Sequence, residues 1–278
     1  MTSGSPLAGH HAFITGGGSG IGLGTAKALM ADGASVTICG RTEETLTAAV
    51  GELGDADAEG TAAYAIVDVA DEDSVTAAVT AANERMPLTM GVANAGRGGA
   101  GPLLQLDAKS WEDTLRVNLT GTFFTFKHVG TALAANGGGS MCAVSSISGV
   151  RTHRLFGAYT AAKAGVNNLV ENAADELGSL GIRVNGVAPG LVETDLSMAL
   201  QTNEAVNEDY RLNMPLGRRG TVQDVASAIR FLLGPESSWI TGVVVSVDGG
   251  HHLRRGPNID PLMEGVVPDL PPISPQVD

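Results

Sequence analysis

Short β-branched runs alternate with alanine-rich helical segments along nearly the whole of this 278-residue chain. The runs are His11–Thr15, Ser35–Cys39, Ala63–Val67, Thr89–Ala93, Ser140–Val144, Arg183–Val187 and Val243–Val247. Helical patterning fills roughly 21–32, 42–53, 72–85, 108–135, 157–179 and 221–233. Such alternation builds a parallel sheet with helices on both faces, joined by right-handed crossovers. The predicted fold is α/β: one doubly wound Rossmann domain over residues 1–250, its seven-stranded parallel sheet in the order 3-2-1-4-5-6-7. No linker, repeat or low-complexity run breaks that stretch. Residues 251–278 carry six prolines and little periodicity. They read as a tail laid on the surface or on a neighbouring subunit, or as partly disordered, and not as a separate domain.

Composition removes several function classes. The 17 basic and 30 acidic residues leave a net charge of -13. Nucleic acids and anionic membranes need a basic surface, so neither is an expected partner. No apolar run approaches the ~18 residues of a membrane span. The opening MTSGSPLAG lacks the pattern of a signal peptide. The only cysteines, Cys39 and Cys142, fall in predicted strands. With two cysteines the default compartment is the cytoplasm. The predicted strand order sets strands two and five three steps apart, about 14 Å at ~4.8 Å per step. A disulfide needs Cα atoms within ~7 Å, so none is expected. The six histidines lack metal-ligand spacing and read as surface residues, with His10 and His11 at the opposite end of the sheet from His251 and His252. No metal site is expected.

The first strand runs into Thr15-Gly16-Gly17-Gly18-Ser19-Gly20-Ile21-Gly22. Gly16, Gly20 and Gly22 permit a tight turn and close approach of backbone to a pyrophosphate. Ser19 and Ile21 complete the turn, and the following helix offers free N–H groups and a positive dipole end. A flexible surface loop is the alternative, and the strand-to-helix context argues against it. At the tip of the second strand stands Cys39-Gly40-Arg41-Thr42, with no carboxylate. A carboxylate there serves the ribose hydroxyls of NAD, whereas Arg41 can pair with a 2′-phosphate. NADP(H) is therefore favoured over NAD(H), although Ser19 occupies the place where some such loops carry a basic residue. Glu43 and Glu44 read as helix-start acids. Asp68, followed by Val69, ends the third strand, where a carboxylate accepts from an adenine amino group. Asp71 is the better N-cap for the helix that follows. Asn94 is placed to tie strand ends together, and Gly96 lets the chain turn over a cofactor at the point where strand order reverses.

Trp111 and the apolar run 117–126 read as core and subunit contact, apart from Asn118, a polar residue that needs partners. Ser145, Ser146 and Ser148 close the fifth strand, and two of the three read as turn residues. Tyr159 and Lys163 stand four residues apart, on one helix face. An ammonium beside a phenol favours the phenolate and lowers the tyrosine pKa, which suits it to move a proton. Alone, that spacing is also what chance gives on an exposed helix.

Taken in order and spacing, these motifs make the chain resemble the short-chain dehydrogenase/reductases over roughly residues 8–250. The carriers are TGGGSGIG at 15–22, DV at 68–69, NAG at 94–96, VNLTG around Asn118, SSISG at 145–149, YTAAK at 159–163 and PGLVET at 189–194. One departure is small: Ala93 stands where many members have a second Asn. The resemblance implies a tetrad of Asn118, Ser146, Tyr159 and Lys163. Ser146, rather than Ser145, lies at the family's distance of 13 residues before the tyrosine. Tyr159 would be the general acid or base, and Ser146 would stabilise charge on the substrate oxygen. Lys163 would hold the nicotinamide ribose and tune Tyr159. Asn118 would anchor, through its backbone, a water linking Lys163 to solvent. Pro189, Gly190, Val192 and Thr194 would position the nicotinamide.

The implied activity is hydride transfer between a nicotinamide cofactor and a ketone or secondary alcohol, in a homotetramer. The resemblance also makes 191–216 a mobile lid with Met198, Leu200, Tyr210, Leu212 and Met214 as an apolar cover. Residues 98–101 form a second, flexible rim. On the loop 150–156, Leu155 and Phe156 are expected to line the pocket, with Arg151, His153 or Arg154 meeting an acidic part of the substrate. Solvated basic residues are the plainer account of those three. A 3-oxoacyl carrier-protein reductase is an alternative, disfavoured because Glu171, Asp175 and Glu176 would repel an acidic carrier. A non-catalytic dinucleotide-binding regulator, or a dehydratase or epimerase, are the others. A regulator of this fold typically lacks the tyrosine or the lysine, and both are present.

Overall fold

The computed structural model describes residues 5–54, 60–254 and 259–262. Of the tail, 255–258 and 263–278 lie outside that description, as do residues 1–4 at the start. Seven strands form one parallel sheet in the order β3-β2-β1-β4-β5-β6-β7, as the alternation predicts. They are β1 His11–Thr15, β2 Ser35–Gly40, β3 Ala62–Ile66, β4 Met90–Ala93, β5 Gly139–Val144, β6 Ile182–Pro189 and β7 Val244–Val247. Each boundary falls within two residues of its sequence expectation. Register runs Phe13↔Thr37 toward β2, Phe13↔Gly91 toward β4 and Val92↔Cys142 toward β5. The four strands β2, β1, β4 and β5 are almost wholly buried, because helices cover both faces.

Those helices are α1 Gly20–Ala31, α2 Glu43–Gly54, α3 Glu72–Arg85, α4 Ala108–Leu115, α5 Gly121–Ala135, α6 Gly157–Leu177, α7 Met198–Thr202, α8 Glu204–Asn213 and α9 Val222–Leu233. One core layer sets Leu29, Leu46, Val225 and Ile229 against Ile14 and Ile38. The other sets Val79, Val129, Val166 and Val170 against Phe13, Met141 and Val184. Burying one such side chain is worth about 1.5–3 kcal/mol. Asp71 caps α3 by accepting from the N–H groups of Asp73 and Ser74, and Glu43 and Glu44 sit in the first turn of α2.

Two expectations need correction. The helix expected over 108–135 is interrupted by a π-helical turn at Arg116–Thr120, where the Gly121 N–H reaches back to the Arg116 carbonyl. The extra residue is absorbed where the threonines of α5 bond back to the main chain, Thr122 Oγ1 to the Asn118 carbonyl and Thr125 Oγ1 to Gly121. Three of the six histidines are not surface residues: His11, His153 and His251 are buried, each in a polar or aromatic setting the spacing could not reveal. His11, for one, is held by the Met86 carbonyl and Thr37 Oγ1. Within the tail, Ile259 buries against Leu191, Val206, Tyr210 and Met214.

Cys39 and Cys142 are both buried and free, separated by β1 and β4 as expected. Burial pushes the Cys142 thiol up to about 12. Among the described residues no three His, Cys, Asp or Glu side chains gather as a metal group, and no helix is long and apolar enough to cross a membrane.

Candidate active site

The carboxyl tips of β1, β4, β5 and β6 bring the sequence motifs to one edge of the sheet. After β1 the chain turns through Gly16 and Gly20, whose φ angles of 64° and 51° favour glycine. A Cβ on Gly22 would lie 2.2 Å from the Gly16 carbonyl oxygen, so the turn closes only because that atom is absent. Ser19 precedes α1 without a side-chain cap bond, so no serine cap covers the open N–H groups of the helix start. Asn94 Nδ2 donates to the carbonyls of Thr15 and Gly16, both at 3.0 Å. Thr15 Oγ1 accepts in return from the N–H groups of Asn94 and Ala95, at 3.0 and 3.2 Å. Asn94 thus ties β1 to β4 as the sequence predicts; the part of Thr15 was missed, because a strand-end threonine carries no signal.

Asn118 sits in the π turn, fully buried. Its amide donates to the carbonyls of Arg97 and Thr114 at 3.0 and 2.9 Å and accepts from the Arg97 N–H at 3.3 Å. A Cβ on Gly96 would meet Asn118 Oδ1 at 2.9 Å and Lys163 Nζ at 3.7 Å. The two side chains therefore converge behind this one glycine. Lys163, on α6, donates from Nζ to the Val144 carbonyl at 2.8 Å and lies 5.6 Å from the ring centre of Tyr159. Tyr159 and Ser146 share a side-chain hydrogen bond, and Ser146 Oγ also accepts from the Ser148 N–H at 3.1 Å. Ser145 turns the other way, its hydroxyl engaged by the Lys163 carbonyl and by Asn167. The structure thus separates the serines as the 13-residue spacing does. Asn167 was not foreseen; it also donates to the Gly149 carbonyl and braces the 145–149 turn against α6.

The electrostatics differ from the simple pairing expected. Burial is the largest influence on both partners: it raises Tyr159, with the Ser146 hydrogen bond opposing, and it lowers Lys163 to about 8. In a dry site the neutral form of each group is favoured, so the ammonium does not by itself depress the phenol here.

These residues line a cleft with two lobes. One, of about 310 Å³, is bounded by Gly16, Ser19, Gly20, Ile21, Asn94, Gly96, the four tetrad residues, Pro189, Gly190, Val192 and Thr194. The other, of about 590 Å³, is bounded by Arg41, Asp68 and Val69 and shares Gly16, Ser19 and Gly96 with the first. The glycine turn lies between them, and a Cβ on Gly20 would come within 3.3 Å of Thr194 across the cleft. Arg41 is exposed at the rim, with no carboxylate beside it on the β2 tip. An extended dianionic ligand fits this arrangement, its ends in the two lobes and its charge at the start of α1.

The substrate side corrects several assignments. His153, Phe156, Leu196, Leu200 and Tyr210 line the smaller lobe. Leu155 does not; it is held at φ 68° and packs against the cluster of Leu191, Val206, Tyr210, Met214 and Ile259. Arg151 and Arg154 are exposed and outside the lining, and Arg151 Nε donates to the His252 carbonyl at 2.6 Å. Of the expected cover, Met198 and Leu212 face solvent, because α7 and α8 turn only part of their apolar residues inward. At the end of the glycine rim, Gly101 N–H donates to the Leu155 carbonyl at 2.7 Å.

Comparison with known proteins points one way. A family model described as enoyl-(acyl carrier protein) reductase matches residues 16–252. Galactitol 2-dehydrogenase (L-tagatose-forming) of Cereibacter sphaeroides is 34% identical, covering 88% of this chain and 96% of that one. Cis-4-hydroxycyclohexanecarboxylate dehydrogenase of Sinomonas cyclohexanicum is 39% identical, covering 86% and 95%. The solved structure of a short-chain type dehydrogenase/reductase from Mycobacterium ulcerans superposes with a TM-score of 0.91 at 41% identity, covering 94% of this chain and 96% of that one.

Proposed function

The chain belongs to the short-chain dehydrogenase/reductase family, an NAD(P)-dependent oxidoreductase acting on alcohol or ketone groups, and on that premise we propose that Tyr159 is its proton-transfer residue and NADP(H) its preferred cofactor. The observation that carries the reading is the convergence of Ser146, Tyr159, Lys163 and Asn118 on the lobe that adjoins the glycine turn. The dinucleotide, when bound, supplies or accepts the hydride. Gly16, Ser19, Gly20, Ile21 and Gly22 hold its pyrophosphate, Asp68 and Val69 its adenine side, Arg41 a 2′-phosphate, and Pro189, Gly190, Val192 and Thr194 its nicotinamide side. Asn94 and Gly96 shape the floor beneath it.

In reduction Tyr159 donates its phenolic proton to the substrate oxygen, and in oxidation it takes the alcohol proton. Ser146 donates a hydrogen bond to the same oxygen and stabilises charge there. Lys163 binds the ribose hydroxyls and, fixed by the Val144 carbonyl, keeps its ammonium next to the phenol. Asn118 holds the π turn so that its backbone borders the path from Lys163 to solvent. Tyr159→Phe is expected to lower turnover about 10²–10⁴-fold while leaving cofactor affinity in place, followed by reduced-cofactor absorbance and by fluorescence titration. Cofactor binding with no turnover of any ketone or alcohol would support a non-catalytic regulator, and product formation with no net cofactor turnover a dehydratase or epimerase.

A small or lipid-like ketone or secondary alcohol is the substrate class we favour. Glu171, Asp175 and Glu176 are exposed along α6, a face that repels an acidic carrier protein. Faster turnover of a carrier-bound 3-oxoacyl thioester than of free ketones would reverse this choice. We carry the homotetramer and the cytoplasm forward as part of the same proposal.

A further inference from the structure

His153 is the one histidine in the lining of the substrate lobe. It is 94% buried, at 6% exposure. Its Nδ1 lies 3.2 Å from the Arg151 carbonyl. A carbonyl oxygen only accepts, so Nδ1 carries the proton and the neutral ring keeps a lone pair at Nε2. That Nε2 is screened from water and has no hydrogen-bond partner among the described residues. Buried acceptors left in this state are uncommon and costly, and one beside a ligand cavity is accounted for by a donor that arrives with the ligand. The ring is fixed on its other sides by aromatic edges, with centroids 6.4 Å from Phe156 and 6.1 Å from His251. Burial and the neighbouring His251 both lower the His153 pKa, which keeps the imidazole neutral. A neutral ring with an open lone pair attracts a donor, not a carboxylate.

We propose that His153 is a specificity-determining residue that accepts a hydrogen bond from a hydroxyl on the substrate, set apart from the reacting carbonyl on an otherwise apolar skeleton. Ile147, Phe156, Leu191, Leu196 and Leu200 offer apolar contact to the skeleton, while Ser148, Asp195, Ser197 and Tyr210 complete the same lining. Phe156 spans the distance between the acceptor and the reacting centre, with its ring 6.3 Å from that of Tyr159. The inference rests on reading this lobe as the substrate pocket of a carbonyl/alcohol oxidoreductase.

The test uses ketones of one skeleton that carry a hydroxyl, a methoxy or a methyl group at the same position, in cyclic and open-chain series. The ratio of kcat/KM for hydroxyl over methoxy is measured in the wild type, in His153→Phe and in His153→Gln. The ratio is internal to each protein, so partial loss of fold cancels. The wild type should favour the hydroxyl by about tenfold, the scale of one neutral hydrogen bond. His153→Phe should bring the ratio close to one, and His153→Gln, which keeps an acceptor, should recover part of it. Equal ratios in all three proteins overturn the inference alone. A wild type that binds cofactor and turns over no ketone or matching alcohol overturns the functional reading, and this inference with it.

Discussion

Lys163 is pulled two ways, by the Val144 carbonyl that its ammonium bonds and by a site that strips it of water. Its folded value of about 8 lies below the ordinary lysine value of 10.5. Between those limits the unfolded chain holds the proton and the folded chain has released it. Stability therefore rises with pH across that window, and the full penalty of burying the charge is present below about pH 8. Lys163→Met is accordingly expected to be more stable than the wild type at neutral pH, on the order of a few kcal/mol at most. Urea denaturation between pH 7 and pH 10 should show that advantage shrinking as pH rises. At the other end of the cleft, Arg41 stands exposed with no competing carboxylate on its strand tip. Arg41→Ala should weaken NADP(H) binding by about ten- to a hundredfold, the scale of a charge-assisted phosphate contact. NAD(H) binding should hardly change, as a parallel fluorescence titration would show. A wild type that prefers NAD(H) would remove the basis of this assignment.

At the scale of elements, the β1-to-α1 turn and the π turn decide how tightly the cleft is drawn. The turn is legible in sequence because glycine spacing is a backbone requirement, and the structure gives that requirement a measure. A Cβ at Gly22 would sit 2.2 Å from Gly16 O and 2.6 Å from Asn94 Nδ2. Gly22→Ala must open the turn and disturb the Asn94 tie, so we expect a loss of about 1–3 kcal/mol in stability. Its effect on cofactor affinity should exceed its effect on melting temperature, and comparing titration with thermal unfolding separates the two. The π turn, by contrast, leaves no sequence mark, since its residues keep helical propensity and apolar spacing throughout. What is visible is only its consequence, a lone Asn118 in an apolar run. The loop 151–156 is likewise opaque to sequence. Leu155 is the sole described non-glycine residue with positive φ, a costly conformation for a leucine. The Gly101–Leu155 bond and the packing against the lid segment hold it there, and this turns Phe156 and His153 rather than Leu155 toward the cleft.

For the whole molecule, the parallel sheet ends on one side at β7, where Val245 and, just before the strand, Val243 are 40% and 39% exposed. Apolar edge residues of this kind invite pairing with another chain. The proposed tetramer would cover them. Sedimentation velocity should report four chains, and Val245→Lys should shift the population toward smaller species without loss of helical signal. A wild type that sediments as a monomer would remove that proposal. The charge of -13 is spread over a surface that includes the acidic face of α6, which sets the character of any protein partner more than that of a small substrate.

Strand order and the glycine turn were legible in the sequence, because each is a matter of spacing along the chain, whereas Ser146, Tyr159 and Lys163 were singled out by the resemblance. Periodicity dictates which face a residue takes, and a right-handed crossover leaves few ways to order parallel strands. What the tertiary structure decided depends on chain segments far apart in sequence. Burial set the proton affinities of Tyr159 and Lys163 and reversed the simple expectation from their pairing. The His252 carbonyl engages Arg151 outside the cavity lining, and the Gly101 N–H engages Leu155. The same packing left His153 facing the cavity wall with one lone pair open, on a loop whose composition alone pointed to solvated charge.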